Sequence, residues 1–351
     1  MPSSASRPTL VTVARLAGVS VASASRVLSG GTATPEMEQR VREAAAQLGY
    51  VPDTAARSLR ARRTNQLALA VPDVGNPTYV ELMRGIESIT RTSGYRLLVQ
   101  STGADSADEV SLIESLGRRY VDGLIIVPIR ITNELLRALA AATAPITVVT
   151  SLPEGSLVDN VRTDSGLGVT MVIEHMRKAG RRSFALLNGP VDTVPGAERI
   201  RGFESAMATA GLRPLAVECA EDFTYAAGLT AARRLFDGCR PDGVMCGNDL
   251  LAFGLIRKLA ELGLSVPGDV AVVGMDDTES AQMHLPSLTS VSLESATRGS
   301  LAVRLLLERL ADPGLPPRRE SVMPRLVIRE SSQPPPRSAV AGDAAGDGRA
   351  P

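Results

Sequence analysis

The sequence is poor in the residues on which many enzyme active sites and metal centres depend. Its 351 residues include two histidines, three cysteines and no tryptophan. His175 and His284 are far apart in the chain, and two isolated histidines form neither a metal site nor a catalytic triad. No G-x-S-x-G, G-x-x-x-x-G-K or H-E-x-x-H pattern occurs either. The sequence therefore predicts a protein that is not an enzyme and that uses no metal or cofactor.

Cysteine spacing and hydropathy both favour a cytoplasmic protein. Cys219, Cys239 and Cys246 are odd in number and lack C-x-x-C spacing, so we expect free, reduced thiols. No apolar run approaches the roughly 20 residues of a membrane span. The longest, GLIIVPI, is typical of a buried strand. The first ten residues, MPSSASRPTL, lack the apolar region of a signal peptide. We therefore expect no membrane partner.

Charged residues are unevenly distributed, although basic and acidic residues number 38 each. Residues 1–65 contain nine arginines and four acidic residues, a net charge of +5, which leaves −5 for the remainder. A basic head on an acidic body favours a polyanion as partner of the head. Charge alone fits a solvated basic face equally well.

The segment AGVSVASASRVL, residues 17–28, predicts a helix, a tight turn and a second helix. Gly18 ends the first helix by adopting positive φ, and Ser20 caps the second. Such a hairpin is typical of DNA-binding proteins, but two packed helices of any function look the same. The predicted helices of the head are Leu10–Ala17, Val21–Leu28 and a third that begins at Thr34 and Pro35 and ends before Gly49.

The second helix presents side chains suited to DNA on its outer surface. Arg26 could bind guanine in the major groove, and the small apolar side chains of Val21 and Ala22 could contact thymine methyl groups. Hydroxyl groups suit phosphate oxygens, which position a protein without specifying sequence. Three serines of this segment could serve in that way: Ser20, Ser23 and Ser25.

An arginine-rich segment, YVPDTAARSLRARRT, follows the third helix. It predicts a short helix after Pro52 in which Leu59 is surrounded by arginines. An apolar side chain among cations could act as a wedge in a minor groove, flanked by phosphate contacts. The alternative is a linker between domains with a solvated charge run.

From Gln66 onwards, short β-branched runs alternate with helix-length segments. Eight such runs, from LALAV to VAVVGM, predict an α/β fold with buried parallel strands. Eight strands exceed one open sheet, so we expect two lobes that divide near residues 159–164. The tail after Glu330 is rich in proline, glycine, alanine and aspartate without apolar periodicity, which predicts disorder.

Polar residues follow two of the predicted strands. Asn248 follows GVMCG, and Asp276 follows VAVVGM. Ligands of open α/β sheets bind at the carboxyl ends of strands, so both residues are candidates for a binding site. Helix capping is the competing interpretation: we favour it for Asp249, and it stays open for Asp276.

Seven motifs resemble, in order and spacing, those of the lac/galactose repressor family of bacterial transcription regulators: TLVTVARLAGVSVASASRVLSG, YVPDTAARSL, VPDVGNPTYVELMRGIE, VDGLIIVP, ERIRGFESAM, GVMCGNDLLAFGLI and DVAVVGMDDTESAQMHLPSLTSV. They span about residues 9–330. The resemblance implies an all-α helix-turn-helix headpiece and a two-lobed α/β core of parallel sheets like that of periplasmic binding proteins. The implied domains are a headpiece at 1–50, a hinge helix and linker at 51–65, the core at 66–330 and a disordered tail at 331–351.

The resemblance also implies roles for particular residues. Leu59 matches the wedge of the hinge helix, and Thr78 and Tyr79 match positions of the effector pocket. Arg199 matches the arginine that binds the ligand, and Phe223 matches an aromatic residue that packs on it. Together with Asn248 and Asp276, these side chains would bind a small polar effector, which we expect to be a carbohydrate.

These observations predict a sequence-specific DNA-binding transcriptional regulator that acts as a repressor. Two heads of a homodimer would bind the half-sites of a near-palindromic operator in double-stranded DNA. An effector bound between the lobes would change operator affinity if it prefers one arrangement of the lobes. The alternative is a sugar-binding receptor-type protein without DNA function.

Overall fold

The computed structural model describes residues 8–51 and 63–333 and divides between Thr64 and Asn65 into two compact units. We describe each unit by itself. Leu59 and most of the predicted hinge helix lie outside the described residues, as do residues 334–351. The wedge, the hinge and the disordered tail therefore stay predictions.

In residues 8–51 of the first unit the structure has three helices with the bounds that the sequence predicted: Leu10–Ala17 (α1), Val21–Leu28 (α2) and Pro35–Leu48 (α3). Local chemistry explains each boundary. The Ser20 hydroxyl accepts a hydrogen bond from the backbone N–H of Ser23, which caps α2. Gly18 ends α1 with φ at +65°, a conformation that costs glycine little.

The first two helices meet at 103°, which is the geometry of a helix-turn-helix pair. Their inner faces form a small core with α3. It contains Val13, Ala17, Ala24, Val27, Val41 and Ala44. Because alanines occupy much of this core, the three helices approach one another closely.

The second unit contains twelve strands and nine helices within the described residues. The strands are Gln66–Val71 (β1), Arg96–Ser101 (β2), Gly123–Ile126 (β3), Ile146–Val148 (β4), Asp159–Thr163 (β5), Phe184–Asn188 (β6), Ala216–Cys219 (β7), Gly243–Cys246 (β8), Ala271–Met275 (β9), Thr289–Ser292 (β10), Arg319–Val322 (β11) and Arg325–Val327 (β12). The helices are Thr78–Thr90 (α4), Ser106–Ser115 (α5), Asn133–Ala140 (α6), Ser165–Lys178 (α7), Val194–Thr209 (α8), Tyr225–Gly238 (α9), Asp249–Glu261 (α10), Glu279–Met283 (α11) and Ser295–Ala311 (α12).

These strands form two six-stranded sheets, which define two lobes. The order is β2-β1-β3-β4-β5-β11 in the first lobe and β7-β6-β8-β9-β10-β12 in the second. All pairs are parallel except β10 with β12. The chain passes between the lobes after β5, β10 and β11. This confirms the predicted two-lobed α/β core, and the first passage falls within the predicted 159–164 interval.

Four strands were missed by the sequence analysis: β5, β10, β11 and β12. They are three to five residues long, and sequences such as DNVRT and RESV are too polar to look like buried strands. β5 is nonetheless buried between β4 and β11, and two arginines pair with Asp159 at its start. Arg309 and Arg318 donate hydrogen bonds to this carboxylate at 2.7–3.3 Å.

Helices α4 and α12 cross at very close range. A Cβ atom on Gly85 would lie 2.0 Å from the carbonyl oxygen of Ala296, and one on Gly299 would lie 2.3 Å from that of Leu82. Only glycine fits at either position. This crossing brings the first turns of both helices together, so that the hydroxyls of Thr78 and Ser295 are 3.4 Å apart.

The ordered core extends past residue 330, where we predicted that it would end. Glu330–Ser332 form a 3₁₀ turn, and Ser331 and Ser332 are fully buried. The hydroxyl of Ser332 lies 2.8 Å from Nε2 of His175, so His175 has a structural role. The predicted tail boundary is therefore too early.

Candidate functional site

The outer surface of α2 carries the side chains that the sequence analysis assigned to DNA. Ala22 and Arg26 are exposed, and Val21 is 39% exposed. Ser20 is exposed, whereas Ser23 and Ser25 are partly buried. The three side chains assigned to bases are thus accessible, whereas two of the three serines are less so.

The backbone of the following loop supports Arg26. The N–H of Gly31 donates a hydrogen bond to the Arg26 carbonyl oxygen at 2.8 Å. A Cβ atom on Gly31 would lie 2.7 Å from Cγ of Arg26, so the aliphatic part of the arginine packs over this glycine. Its guanidinium makes no hydrogen bond or ion pair with any residue in the described part of the chain. It is therefore available to a partner.

A cavity of about 100 Å³ lies between the two lobes of the second unit. Thr78 and Tyr79 line it from the first lobe, and Arg199 and Asp276 line it from the second. These four residues were all candidates from the sequence. The fold brings them together because their segments end on the facing edges of the two sheets.

Two contacts connect the lobes at the edge of this cavity. Arg130, which follows β3, donates hydrogen bonds to both carboxylate oxygens of Asp192 at 2.7 and 3.3 Å. The N–H of Val194 donates to the carbonyl oxygen of Ile129 at 2.7 Å. The lobes are therefore held in contact beside the site, and a change in their arrangement would break these contacts.

Arg199 lies in the middle of α8 and is only 5% exposed. Its guanidinium carbon is 5.5 Å from the ring centroid of Phe223, a cation–π distance. Burial lowers the pKa of Arg199, and the nearby Asp276 opposes that shift. Nε of Arg199 has no hydrogen-bond acceptor within the described chain. A buried donor without a partner is rare and costly.

Asp276 follows β9 with a φ of 120°, which is unusual for a residue other than glycine. The backbone holds it there: its N–H donates to the carbonyl oxygen of Val291 at 2.9 Å. Burial raises the pKa of the Asp276 carboxyl, while Arg199 and Arg298 lower it. Its side chain caps no helix in the described chain, because α11 begins only at Glu279. The capping interpretation of Asp276 is therefore wrong.

The residue that caps α10 is Asn248, one residue before the predicted cap. The Asn248 side-chain oxygen accepts from the N–H of Leu251 at 2.9 Å, and its amide nitrogen donates to the carbonyl oxygen of Phe223 at 2.9 Å. It is 1% exposed and does not line the cavity. The cap prediction for Asp249 is thus wrong by one position. A ligand contact by Asn248 stays an untested prediction.

Asp249 is a buried acceptor that fixes the loop after β9. It accepts hydrogen bonds from the N–H and hydroxyl of Thr278, at 2.8 and 2.9 Å, and from the hydroxyl of Ser290 at 2.6 Å. Burial and the charge of Asp276 raise its pKa. Because Thr278 lies two residues after Asp276, Asp249 positions the loop that carries the cavity carboxylate.

The first-lobe candidates lie at the start of α4. The side-chain oxygen of Asn76 accepts from the N–H of Thr78 at 3.2 Å, which orients the first turn. Tyr79 is partly buried, and burial raises the pKa of its phenol, so that it remains a neutral donor and acceptor.

Sequence reasoning missed Arg298, which also lines the cavity. It lies on the buried face of α12, three residues after Ser295 and four before Ala302, both of which are buried. Its terminal nitrogen donates to the Ser295 hydroxyl at 2.9 Å, but its Nε is buried without an acceptor. The signal was present: an arginine interrupts an otherwise small and apolar helical stripe.

Metal binding and membrane insertion find no support in the described ranges, 8–51 and 63–333. They contain no group of three or more histidine, cysteine, aspartate or glutamate side chains able to hold a metal ion. No single helix in them is long and apolar enough to span a bilayer; only α1 and α2 together pass by length and composition, and they are bent at 103°.

Comparison with known proteins identifies the family. Residues 9–53 match the bacterial regulatory proteins of the lacI family, and residues 173–332 match a periplasmic binding protein-like domain. The ribose operon repressor of Escherichia coli (strain K12) is 32% identical over 92% of this chain and 99% of its own length. The chain belongs to the lacI family. It is accordingly a DNA-binding transcription regulator and not an enzyme, as the sequence predicted.

Solved structures of lacI-family proteins agree with this assignment. A complex of the regulator CelR with cellobiose is 31% identical with a TM-score of 0.70, and covers 93% of this chain and 100% of its own. The lac repressor dimer bound to operator and the anti-inducer ONPF is 25% identical with a TM-score of 0.82, and covers 93% and 99%. A receptor without DNA function, the alternative, is not supported, because the head itself matches the lacI family.

Proposed function

We propose that this lacI-family protein represses transcription as a cytoplasmic homodimer that binds a near-palindromic operator. Arg26 contacts a guanine, Val21 and Ala22 contact thymine methyl groups, and Ser20, Ser23 and Ser25 lie along the phosphates. The exposed surface of α2 supports these roles, as does the guanidinium of Arg26, which has no partner among residues 8–51 and 63–333. The lac repressor, a structural neighbour, is a dimer on its operator.

A small polar effector, of the carbohydrate type, binds between the lobes. The observation that carries this proposal is the interlobe cavity, which both lobes line with charged and hydroxyl-bearing side chains. Arg199 and Asp276 supply a donor and an acceptor for neighbouring hydroxyl groups. The ring of Phe223 packs against the guanidinium of Arg199. Thr78 and Tyr79 line the site from the first lobe. CelR, another neighbour, binds cellobiose.

Effector binding and DNA binding are coupled through the arrangement of the lobes. An effector that contacts both lobes favours one arrangement over the other, and only that difference changes operator affinity. The predicted hinge at 51–65, with Leu59 as its wedge, connects the head to the core and carries this change to the DNA.

A binding experiment with the full-length protein tests the proposal. Duplexes selected from a random pool are titrated by fluorescence anisotropy with and without a panel of carbohydrates. We expect specific binding that weakens steeply with salt, because arginines displace condensed counterions. One or more panel members should change that affinity. Binding without sequence preference would contradict the proposed operator recognition.

A further inference from the structure

Two buried guanidinium groups face the interlobe cavity, and within the described residues neither forms an ion pair with an acidic side chain. Arg199 and Arg298 both line it, and Nε of each is buried without an acceptor. No carboxylate oxygen in the described part of the chain lies within 4.0 Å of either guanidinium. By contrast, Arg309 on the same helix as Arg298 is 2.7 Å from Asp159.

The two acids that line the cavity, Glu198 and Asp276, act on the arginines through space, and within the described residues neither forms a direct ion pair with them. Glu198 already accepts a hydrogen bond from the Ser165 hydroxyl at 2.8 Å. Asp276 lies close enough to both arginines to affect their pKa values but forms an ion pair with neither. The charges of the two arginines also act on each other: Arg199 lowers the pKa of Arg298. The cavity is lined by two carboxylates and two guanidiniums, and within the described residues neither carboxylate pairs directly with a guanidinium.

An unpaired buried guanidinium is costly, because desolvation is not repaid by a partner. A carboxylate or a phosphate matches the fork of guanidinium donors and would satisfy both Nε atoms. Neutral hydroxyl groups would satisfy the same donors with weaker hydrogen bonds.

We propose that the effector carries an anionic group, carboxylate or phosphate, held between Arg199 and Arg298. This deepens the proposed function and rests on it. Asp276 then accepts hydrogen bonds from hydroxyl groups of the same ligand, so the effector is a hydroxylated acid: a sugar acid or a sugar phosphate.

Thermal-shift and calorimetric titrations with matched ligands test this. The probes are D-glucose, D-glucuronate and D-glucose 6-phosphate, then D-ribose, D-ribonate and D-ribose 5-phosphate, with inorganic phosphate as a minimal anion, all at one ionic strength. An anion should stabilise the wild-type protein more than its neutral parent does. Sugar acids and sugar phosphates are titrated separately, so the experiment shows whether the site prefers a carboxylate or a phosphate.

Arg298→Met removes one guanidinium, and Arg304→Met is its matched control on an exposed position of the same helix. R298M should bind the best anion about 10- to 100-fold more weakly, as expected for a lost charge-assisted hydrogen bond. R304M should bind like the wild type. Without ligand, R298M should melt at a higher temperature than the wild type. Arg298→Lys, which keeps the charge without the fork, should bind at an intermediate level even if R298M fails to fold.

Three results would overturn the proposal: a neutral sugar that stabilises more than its acid or phosphate, an absence of any shift with every anion, or equal anion affinity in R298M and R304M. DNA titrations on the same samples separate this from the proposed function. If a neutral sugar changes operator affinity, the proposed function stands and the anionic effector fails. If an anion binds through Arg298 but leaves DNA affinity unchanged, the anionic site stands and the effector role fails.

Discussion

The guanidinium of Arg199 lies over the ring of Phe223, with 5.5 Å from its carbon to the ring centroid. The ring itself packs against Gly189, where a Cβ atom would lie 2.2 Å from Cε1 of the phenyl group. Phe223 therefore lies behind the arginine as a support, and it does not line the cavity. The resemblance had implied an aromatic residue packed on the ligand.

Phe223→Leu should weaken ligand binding by about 1–2 kcal/mol, because it keeps apolar volume but removes the ring face beneath a desolvated guanidinium. Calorimetry with the strongest ligand of the panel measures this. Phe253→Leu is the matched control, since that ring stacks on His284 at 5.0 Å outside the cavity. Equal ligand affinity in both variants would show that the ring does not position Arg199.

Asn248→Ala and Asp249→Ala should both lower stability, for different reasons. The first removes the cap of α10 and leaves the Phe223 carbonyl without a donor, at a cost of about 1–2 kcal/mol. The second leaves the Thr278 and Ser290 donors buried and unpaired, at a cost of roughly 2–4 kcal/mol. Urea unfolding measures both. A milder effect for D249A than for N248A would contradict the role given to the buried carboxylate.

Glu109 should make stability depend on pH. Burial raises the pKa of the Glu109 carboxyl from 4.5 to about 7. A hydrogen bond from Thr102 lowers this pKa, the charge of Asp105 raises it, and the charge of Arg130 lowers it. The folded protein therefore binds this proton more tightly than the unfolded chain does. The contribution of Glu109 is fully present below about pH 4.5 and is lost as pH rises through about 7.

Glu109→Gln should accordingly be more stable than the wild type at pH 8, by on the order of 1–3 kcal/mol, and the difference should disappear near pH 5. Urea midpoints across this range measure it. Glu114→Gln, on an exposed position of the same helix, is the control and should change little. A stability difference between E109Q and wild type that does not vary with pH would refute the assignment.

Arg26→Ala should lose discrimination at one base pair of the operator by ~1–3 kcal/mol, as expected for a bidentate contact with guanine. Competition titrations against single-base operator variants measure this. Arg42→Ala removes another exposed arginine of the head, one that pairs with Glu38 at 2.6 Å on α3, and should leave discrimination intact. If R26A weakened all duplexes equally, Arg26 would be a phosphate contact.

Local signals were sufficient to predict the head and the buried strands. Gly18, Ser20 and Pro35 determine helix boundaries through their own backbone and side-chain chemistry, so the three helices were predicted to the residue. The strands that were missed depend on distant partners. In β5 the buried Asp159 is paired with Arg309 and Arg318, about 150 residues later, and β5 lies between β4 and β11.

The site was only partly predictable for the same reason. Arg199 could be found because it lies in a recognisable motif, ERIRGF, and Asp276 because it directly follows a predicted strand. The roles of Asn248 and Phe223 depend on contacts between segments that periodicity does not show. Arg298 reaches the cavity only because Gly85 and Gly299 allow α4 and α12 to cross closely.

The central claim is that a ligand in the interlobe cavity controls sequence-specific DNA binding. The most direct test is the affinity of the full-length protein for its selected duplex, measured by fluorescence anisotropy with and without the small molecule that binds the cavity most tightly. We predict that this ligand changes the affinity of the wild-type protein at least about fivefold, the lower end of ordinary allosteric coupling, and that Asp276→Ala abolishes the change. An affinity that the ligand leaves unchanged, or a change that persists in D276A, would contradict the account.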